Sequence, residues 1–177
     1  MMMNNKYKDS EINKIIKSMI ILVDTREKKW SHIKIYLKSN NIKYLDYKLD
    51  FGDYSFMIPQ SDKLKIDEDV YFNDDIAIER KANAEEISGN LTEDRDRLKR
   101  EFERGNNKIR LLIENSSYAD IYRNNYNTQL NSNSFIGSLH SLQEEYNSPF
   151  FFVDKIYSGH YIVNTFKYYI RNKLKQN

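Results

Sequence analysis

The chain has 177 residues, a length that suits one domain with a sizeable core and argues against several domains. Its 28 basic and 26 acidic side chains leave a formal net charge of +2, so affinity for a polyanion would need a local arrangement of charges. The absence of cysteine excludes disulfides and thiolate metal sites, which leaves oxygen ligands and three histidines for any metal. No apolar run has the length of a signal peptide core or a membrane span, so we expect a cytoplasmic protein without membrane contact.

Hydrophobic periodicity predicts alternating helices and strands in the first half of the chain. The predicted elements are a helix over 4–18, a strand over 19–24, a helix over 29–39, a hairpin of strands 44–49 and 54–58, and a strand pair, 70–72 and 75–81, around Asn73-Asp74. The strand over 19–24 is a continuous apolar run that ends in Asp24, a pattern typical of a buried strand that delivers a polar group at its end.

The second half continues the alternation. The predicted elements are a helix from Glu85 that Gly89 and Asn90 break, a helix capped by Thr92 that ends at Gly105, a strand over 109–114, a short helix capped by Ser116 or Ser117, a loop over 124–133, a helix over 135–146, a strand over 150–153 and a helix over 162–174. The strands 75–81 and 109–114 enclose helical segments, so they are predicted to be parallel. The sequence therefore predicts an α/β fold with a central mixed sheet flanked by helices.

Acidic and basic side chains gather in the segment from Leu49 to Glu85. Asp53 follows Gly52, and Glu79 and Lys81 lie two residues apart on a predicted strand, hence on one face of the sheet. If the two runs are neighbouring strands, Asp53 and Glu79 could share a divalent metal beside the lysine. Such a site favours hydrolysis of a phosphodiester, because a metal and an ammonium group offset charge on the phosphate and activate water.

Three short motifs carry a family resemblance. Val23-Asp24-Thr25-Arg26-Glu27, Gly52-Asp53-Tyr54 and Glu79-Arg80-Lys81 together resemble the motifs of the XPF-type structure-specific endonucleases, and the resemblance spans about 20–153. It implies a restriction-endonuclease-like nuclease fold and a divalent-metal-dependent DNA endonuclease that uses Mg²⁺ or Mn²⁺. The segment 114–146 is similar to compact phage and bacterial members.

The resemblance also implies roles for individual residues. The implied metal ligands and catalytic residues are Asp53, Glu79 and Glu27 as ligands, Asp24 as their support or a ligand of a second ion, the Arg80 carbonyl in the metal shell, and Lys81 beside the attacking water. Arg26 and Arg80 would tie carboxylates together or touch the DNA backbone, and Arg97 would contact a phosphate.

Two departures from the family pattern bear on these roles. The family has an aspartate four residues after the lysine, where this chain has Glu85, and Glu86 could equally serve. The helix-hairpin-helix module of longer members is not visible after Phe152, so the chain is interpreted as a single nuclease domain over 1–177. Flap, fork, junction and plain duplex DNA stay open as substrates, in repair, recombination or phage DNA processing.

Several alternatives stay open. A catalytically silent DNA-binding module could use the same scaffold, whereas a nucleotide-handling domain would need a glycine-rich phosphate loop that the sequence lacks. Structural or surface roles are expected for His32, His140 and His160, and the basic tail after Asp154 could bind phosphates or only solubilise a helix. The stripe of Leu139, Leu142 and Tyr146 is expected in the core, and the family resemblance adds a homodimer through residues 135–174.

Overall fold

The computed structural model of the chain describes residues 7–176. Its helices are α1 (Asp9–Ser18), α2 (Ser31–Ser39), α3 (Ala84–Thr92), α4 (Arg95–Gly105), α5 (Tyr118–Tyr122), α6 (Ser132–Tyr146) and α7 (Ser158–Gln176). Its strands are β1 (Ile20–Asp24), β2 (Lys43–Tyr47), β3 (Tyr54–Ile58), β4 (Val70–Tyr71), β5 (Ala77–Lys81), β6 (Ile109–Glu114) and β7 (Phe150–Val153). The predicted start of the first helix at residue 4 lies outside the described residues, but the described residues 7 and 8 precede α1, which begins at Asp9.

The strands form one seven-stranded sheet in the order β2-β1-β3-β5-β6-β7, with β4 paired to β3. The pairs β1–β2, β5–β6 and β6–β7 are parallel, and β3 is antiparallel to β1, β4 and β5. The predicted mixed sheet flanked by helices is confirmed, including the parallel pairing of β5 with β6.

The predicted hairpin and the predicted strand pair are both wrong. The strand at 43–47 does not pair with β3 but runs parallel to β1, because α2 carries the chain back in a strand–helix–strand crossover. β3 then pairs with the other side of β1, as expected for the buried apolar run of β1. β4 pairs with β3 and not with β5, and a turn in which the Phe72 carbonyl accepts from the Asp75 and Ile76 N–H groups separates the two strands.

Several helix boundaries differ from the prediction. α3 continues through Gly89 and Asn90, and the Thr92 hydroxyl donates to the Ser88 carbonyl inside α3 and does not cap α4. The helix persists there because the apolar positions Ile87 and Leu91 keep one face buried.

The later helices begin earlier than predicted. α6 starts at Ser132, where the Asn131 side chain accepts from the Ser134 N–H, and α7 starts at Ser158. Polar cap residues precede the first apolar position of a helix, so periodicity alone places these starts too late. Ser117 caps α5, one of the two predicted caps.

Each face of the sheet has its own core. Helices α1, α2 and α7 cover one face around Phe56, Ile78 and Leu112, and α3 to α6 cover the other around Ala77 and Leu111. Adjacent residues of β5 and β6 thus enter different cores, as the two-residue period of a strand dictates. The stripe of Leu139, Leu142 and Tyr146 is buried in the second core, as predicted.

The sheet brings one end of β1, the start of β3 and the end of β5 together. The Asp53 N–H donates to the Ile78 carbonyl over 2.8 Å, and the Asp53 carbonyl accepts from the Asp24 N–H, also over 2.8 Å. These main-chain hydrogen bonds place the three predicted motifs side by side. Within residues 7–176, no helix combines the length and the apolarity that crossing a membrane would require.

Candidate active site

A cavity of about 600 Å³ opens where these strands meet. Its lining residues are Arg26, Glu27, Lys28, Lys29, Gly52, Asp53, Glu79, Arg80, Lys81, Ala82, Asn83, Glu86, Arg97 and Glu101. All three predicted motifs therefore contribute side chains to one cavity. A second and larger cavity, about 760 Å³, lies between α7 and the β6–β7 side of the sheet and contains none of these residues.

Asp53 enters the cavity from a tight turn. Gly52 has φ of +70°, and a Cβ atom there would lie 2.7 Å from the Ala77 Cβ. Glycine is required for both reasons, since left-handed backbone disfavours a side chain and β5 packs against the turn. The Glu101 side chain of α4 accepts from the Gly52 N–H over 2.8 Å, which fixes the turn that carries Asp53.

Asp53, Glu79 and Lys81 form the charged centre of the cavity. The Lys81 Nζ donates to the Glu79 carboxylate over 2.8 Å, and Glu79 and Lys81 are each 8% exposed. Burial raises the pKa of the Asp53 carboxyl well above its usual value, and the negative charge of Glu79 raises it further. Burial alone would lower the pKa of Lys81, but the ion pair with Glu79 raises it overall, so the lysine is a firmly held cation.

Arg80 lies between Glu79 and Lys81 in sequence and points to the opposite face of the sheet. Its guanidinium contacts both oxygens of Glu27, over 3.1 and 3.2 Å, and donates to Glu114 over 2.9 Å. Its main-chain N–H donates to the Asp53 carboxylate over 2.8 Å. Burial alone would lower the pKa of Arg80, but the charges of Glu27 and Glu114 raise it, which fixes it as a cation. One residue thus links three acids.

Asp24 and Arg26 form a structural pair at the end of β1. The Asp24 carboxylate accepts from the Arg26 side chain over 2.7 Å and from the Leu49 N–H over 2.7 Å, while the Arg26 guanidinium also donates to the Leu49 carbonyl. Burial alone would raise the pKa of Asp24, but these hydrogen bonds and the charge of Arg26 lower it overall. Asp24 is 2% exposed and does not line the cavity, although Arg26 does.

The two glutamates after Lys81 point in different directions. Glu86 lines the cavity and accepts from the Ala82 N–H over 2.9 Å. Glu85 turns away and accepts from the Asn127 N–H in the loop before α6, also over 2.9 Å. Arg97 of α4 is exposed at the cavity rim, where no carboxylate of the described residues pairs with it.

Hydrogen bonds connect three residues to the site that were not predicted there: Glu101, Glu114 and His32. The lining residues Lys28, Lys29, Ala82 and Asn83 were not predicted either. Glu114 ends the apolar run of β6 as Asp24 ends that of β1, a signal that could have identified it. Glu101 lies among alternating charges on α4, and His32 has no acidic neighbour in sequence, so nothing in the sequence distinguishes either.

The donor set suits a divalent cation only in part. Among residues 7–176, no group of three or more Asp, Glu or His side chains is arranged to hold a metal ion. Asp53 and Glu79 nevertheless face one another closely enough for the charge of one to raise the pKa of the other, and a cation would relieve that repulsion. Two carboxylates and nearby main-chain carbonyls are ligands that Mg²⁺ and Mn²⁺ accept. The ligand roles of Asp24 and Glu27 stay predictions, and in this arrangement Arg26 and Arg80 hold their carboxylates.

Comparison with known proteins identifies related sequences and folds. The ERCC4 domain family matches residues 23–165 of the chain. The structure resembles that of XPF from Aeropyrum pernix, with a TM-score of 0.60 and 18% sequence identity over 85% of this chain and 61% of that one. A second structure, XPF from Aeropyrum pernix in complex with DNA, gives a TM-score of 0.60 and 18% identity over 86% of this chain and 65% of that one.

The chain thus spans less than two thirds of the length of these solved chains, and the shared part has the XPF nuclease fold. No curated protein sequence matches the chain.

Proposed function

The chain belongs to the ERCC4 domain family and has the XPF nuclease fold. We propose that it is a divalent-metal-dependent DNA endonuclease with its active site in the cavity at the ends of β1 and β5. The observation that supports this proposal best is the unit of Asp53, Glu79 and Lys81: two carboxylates and an ammonium group in one cavity. A protein that only binds DNA gains nothing from buried acids in the path of a polyanion.

Asp53 and Glu79 are the residues that would hold Mg²⁺ or Mn²⁺, with the Arg80 carbonyl and Glu27 as candidates for further ligands. The ion would place positive charge on the scissile phosphate and lower the pKa of water. Lys81 donates hydrogen bonds to the attacking water or to a phosphate oxygen and offsets the charge that develops there. Glu79 orients the Lys81 ammonium group for this role, since the two side chains already form an ion pair.

DNA is the proposed substrate, with Arg97 as a phosphate contact at the cavity rim. The solved XPF chain that is bound to DNA supports this choice of polymer. Branched or flap structures are the proposed form of the DNA, on the resemblance to structure-specific endonucleases. Arg26 is a weaker candidate than Arg97 for a phosphate contact, because its guanidinium already donates to Asp24 and to the Leu49 carbonyl.

We also propose that two copies of the chain pair through residues 135–174. Four large hydrophobic residues in this range, Phe151, Ile156, Tyr157 and Tyr168, are 38%, 68%, 59% and 55% exposed. β7 is an edge strand, so a second chain could cover both it and these side chains. Light scattering after gel filtration tests this directly: a monomeric mass at high protein concentration contradicts it.

The decisive experiment incubates the protein with labelled duplex, flap, fork and junction DNA in Mg²⁺, Mn²⁺ or EDTA. We expect cleavage with either metal and none in EDTA. Asp53→Asn and Lys81→Ala should each reduce kcat at least about 100-fold, the range for loss of a positioned charge at the reacting group. The matched controls are Asp67→Asn and Lys63→Ala, exposed residues of the loop before β4. Cleavage that survives EDTA or either active-site change overturns the proposal.

A further inference from the structure

A series of four hydrogen-bonded side chains, of which Glu114 and Arg80 are buried and His32 and Glu27 partly buried, runs from α2 into the active site. His32 Nε2 lies 2.7 Å from Glu114 Oε1, and Glu114 Oε2 accepts from Arg80 Nη1 over 2.9 Å. Arg80 continues to Glu27 through its guanidinium and to Asp53 through its main-chain N–H. Since a carboxylate only accepts hydrogen bonds, His32 donates from Nε2.

Glu114 is the residue whose burial requires these hydrogen bonds. Its side chain is fully buried, and a buried carboxylate is tolerated only when both oxygens have partners. Arg80 satisfies one oxygen and His32, 15% exposed, satisfies the other. Without His32, the unpaired oxygen would compete for the remaining N–H groups of Arg80.

Those N–H groups are the ones that hold Glu27. Arg80 contacts Glu27 through Nε and Nη2, on the side of the guanidinium away from Nη1. A rotation of the guanidinium toward Glu114 would therefore break its contacts with Glu27 and leave that carboxylate without a fixed orientation in the cavity that also contains Asp53 and Glu79. The negative charge of Glu27 already raises the pKa of Asp53, so its position affects the charge balance of the site.

We propose that His32 is a positioning residue of the active site, which acts through Glu114 to hold Arg80 and, through Arg80, the carboxylates of Glu27 and Asp53. This inference rests on the proposed nuclease function for its effect on cleavage, whereas its effect on metal binding is measured without catalysis. His32 touches neither the cavity centre nor any proposed metal ligand, and partners at this remove set ligand orientation.

The test compares two amide substitutions of His32. His32→Gln places an amide N–H where Nε2 lies and can still reach Glu114, whereas His32→Asn is too short to do so. We expect Asn to raise the Mn²⁺ dissociation constant, measured by calorimetry, and to lower kcat, each by about 10- to 100-fold, with the KM for DNA little changed. Gln should restore most of both losses. His140→Asn, on the exposed side of α6, is the matched control.

A second comparison asks whether His32 and Glu114 act as one unit. Glu114→Gln should produce losses similar to those of His32→Asn, and the double variant should lose little more than either single variant, because both break one network. Circular dichroism and thermal unfolding establish that each variant is folded.

The outcomes separate the inference from the proposed function. Wild-type protein that cleaves DNA, together with an Asn variant that matches it in Mn²⁺ affinity and kcat, overturns the positioning role alone. Equal losses in the Gln and Asn variants, or additive losses in the double variant, overturn it as well. Wild-type protein that neither cleaves DNA nor binds Mn²⁺ overturns the proposed function and the positioning role together.

Discussion

At the scale of single residues, the acids of the site differ in how their charge is compensated. Asp24 is held by Arg26 and Glu27 by Arg80. Asp53 accepts one main-chain hydrogen bond and faces Glu79, so the folded chain keeps it against an unfavourable electrostatic environment. Strain of this kind is common where an enzyme prepares a site for a ligand.

The first prediction concerns the effect of Asp53 on the free energy of unfolding of the metal-free protein. The pKa of the Asp53 carboxyl is higher in the folded than in the unfolded protein, so the neutral carboxyl stabilises the fold. This stabilisation is complete at pH values below the ordinary pKa of aspartate. It is lost as the pH rises through the raised pKa of the folded protein. Asp53→Asn should therefore increase the free energy of unfolding at neutral pH by about 1–3 kcal/mol, the cost of a poorly compensated buried polar group.

Urea unfolding in EDTA over a pH series measures this effect. The wild type should lose stability relative to Asp53→Asn as pH rises through the window between the ordinary and raised pKa values. Asp67→Asn should follow the wild type at every pH. Parallel curves for wild type and Asp53→Asn contradict the electrostatic account of the site.

A second residue-scale prediction concerns DNA contact. Arg97→Ala should weaken binding to duplex DNA uniformly across sequences and reduce the slope of log affinity against log salt by about 1. The control is Arg100→Ala, an exposed arginine of the same helix that does not line the cavity. Fluorescence anisotropy across a salt series measures both, and an equal effect of the two changes contradicts a specific role for Arg97.

At the scale of secondary-structure elements, the turn before β3 decides where Asp53 lies. Gly52 allows the turn to pass against β5, and α4 holds it through Glu101. α3 contains a glycine of a different kind: a Cβ atom at Gly89 would meet nothing within 4 Å. A side chain would therefore be unfavourable at Gly52 but is tolerated at Gly89, so the two positions can be compared directly.

We predict opposite effects of alanine at these two positions. Gly52→Ala should lower the free energy of unfolding by about 1–3 kcal/mol, because φ is positive and the new methyl group would overlap Ala77. It should also reduce cleavage, since the turn carries Asp53. Gly89→Ala should raise stability by about 0.5–1 kcal/mol through helix propensity. Thermal and urea unfolding of both variants measure this, and destabilisation by Gly89→Ala or neutrality of Gly52→Ala would be contrary results.

At the scale of the whole molecule, the sheet separates two cores and α7 completes the first of them. Phe166 of α7 is fully buried and its ring lies 5.2 Å from that of Phe56 on β3, which stacks on Phe72 at 4.5 Å. These rings join the C-terminal helix to the antiparallel centre of the sheet. The helix therefore supports β3, the strand at whose start Asp53 lies.

Truncation of the two faces of α7 should differ sharply in effect. Phe166→Ala should cost about 3–5 kcal/mol of unfolding free energy, the range for a large buried aromatic residue. Tyr168→Ala, at a residue on the opposite face that is 55% exposed, should change the free energy of unfolding by less than about 0.5 kcal/mol. Urea unfolding measures both free energies. A small loss at Phe166 would show that α7 contributes little to the first core.

Much of the fold and of the site could be predicted from the sequence, because hydrophobic periodicity and short motifs depend on residues close together in the chain. Periodicity identified most helices and strands, and the XPF-type motifs identified the family and some of the residues that line the cavity, among them Asp53, Glu79 and Lys81. Pairing between strands was beyond such patterns: β2 and β3 look like a hairpin in sequence, yet β1 lies between them. Strand alternation predicts that Arg80 points away from Glu79, but not which partners it meets.

The sequence by itself determined the mixed α/β class, the three motifs and the side of β5 on which Glu79 and Lys81 lie. Only the tertiary structure decided that Glu86 enters the cavity while Glu85 leaves it, and that Asp24 is enclosed by Arg26 and Leu49. It also decided that His32 reaches the site through Glu114, a residue 82 positions away. Contacts between residues so distant in sequence depend on strand order and helix packing, which composition and spacing do not encode.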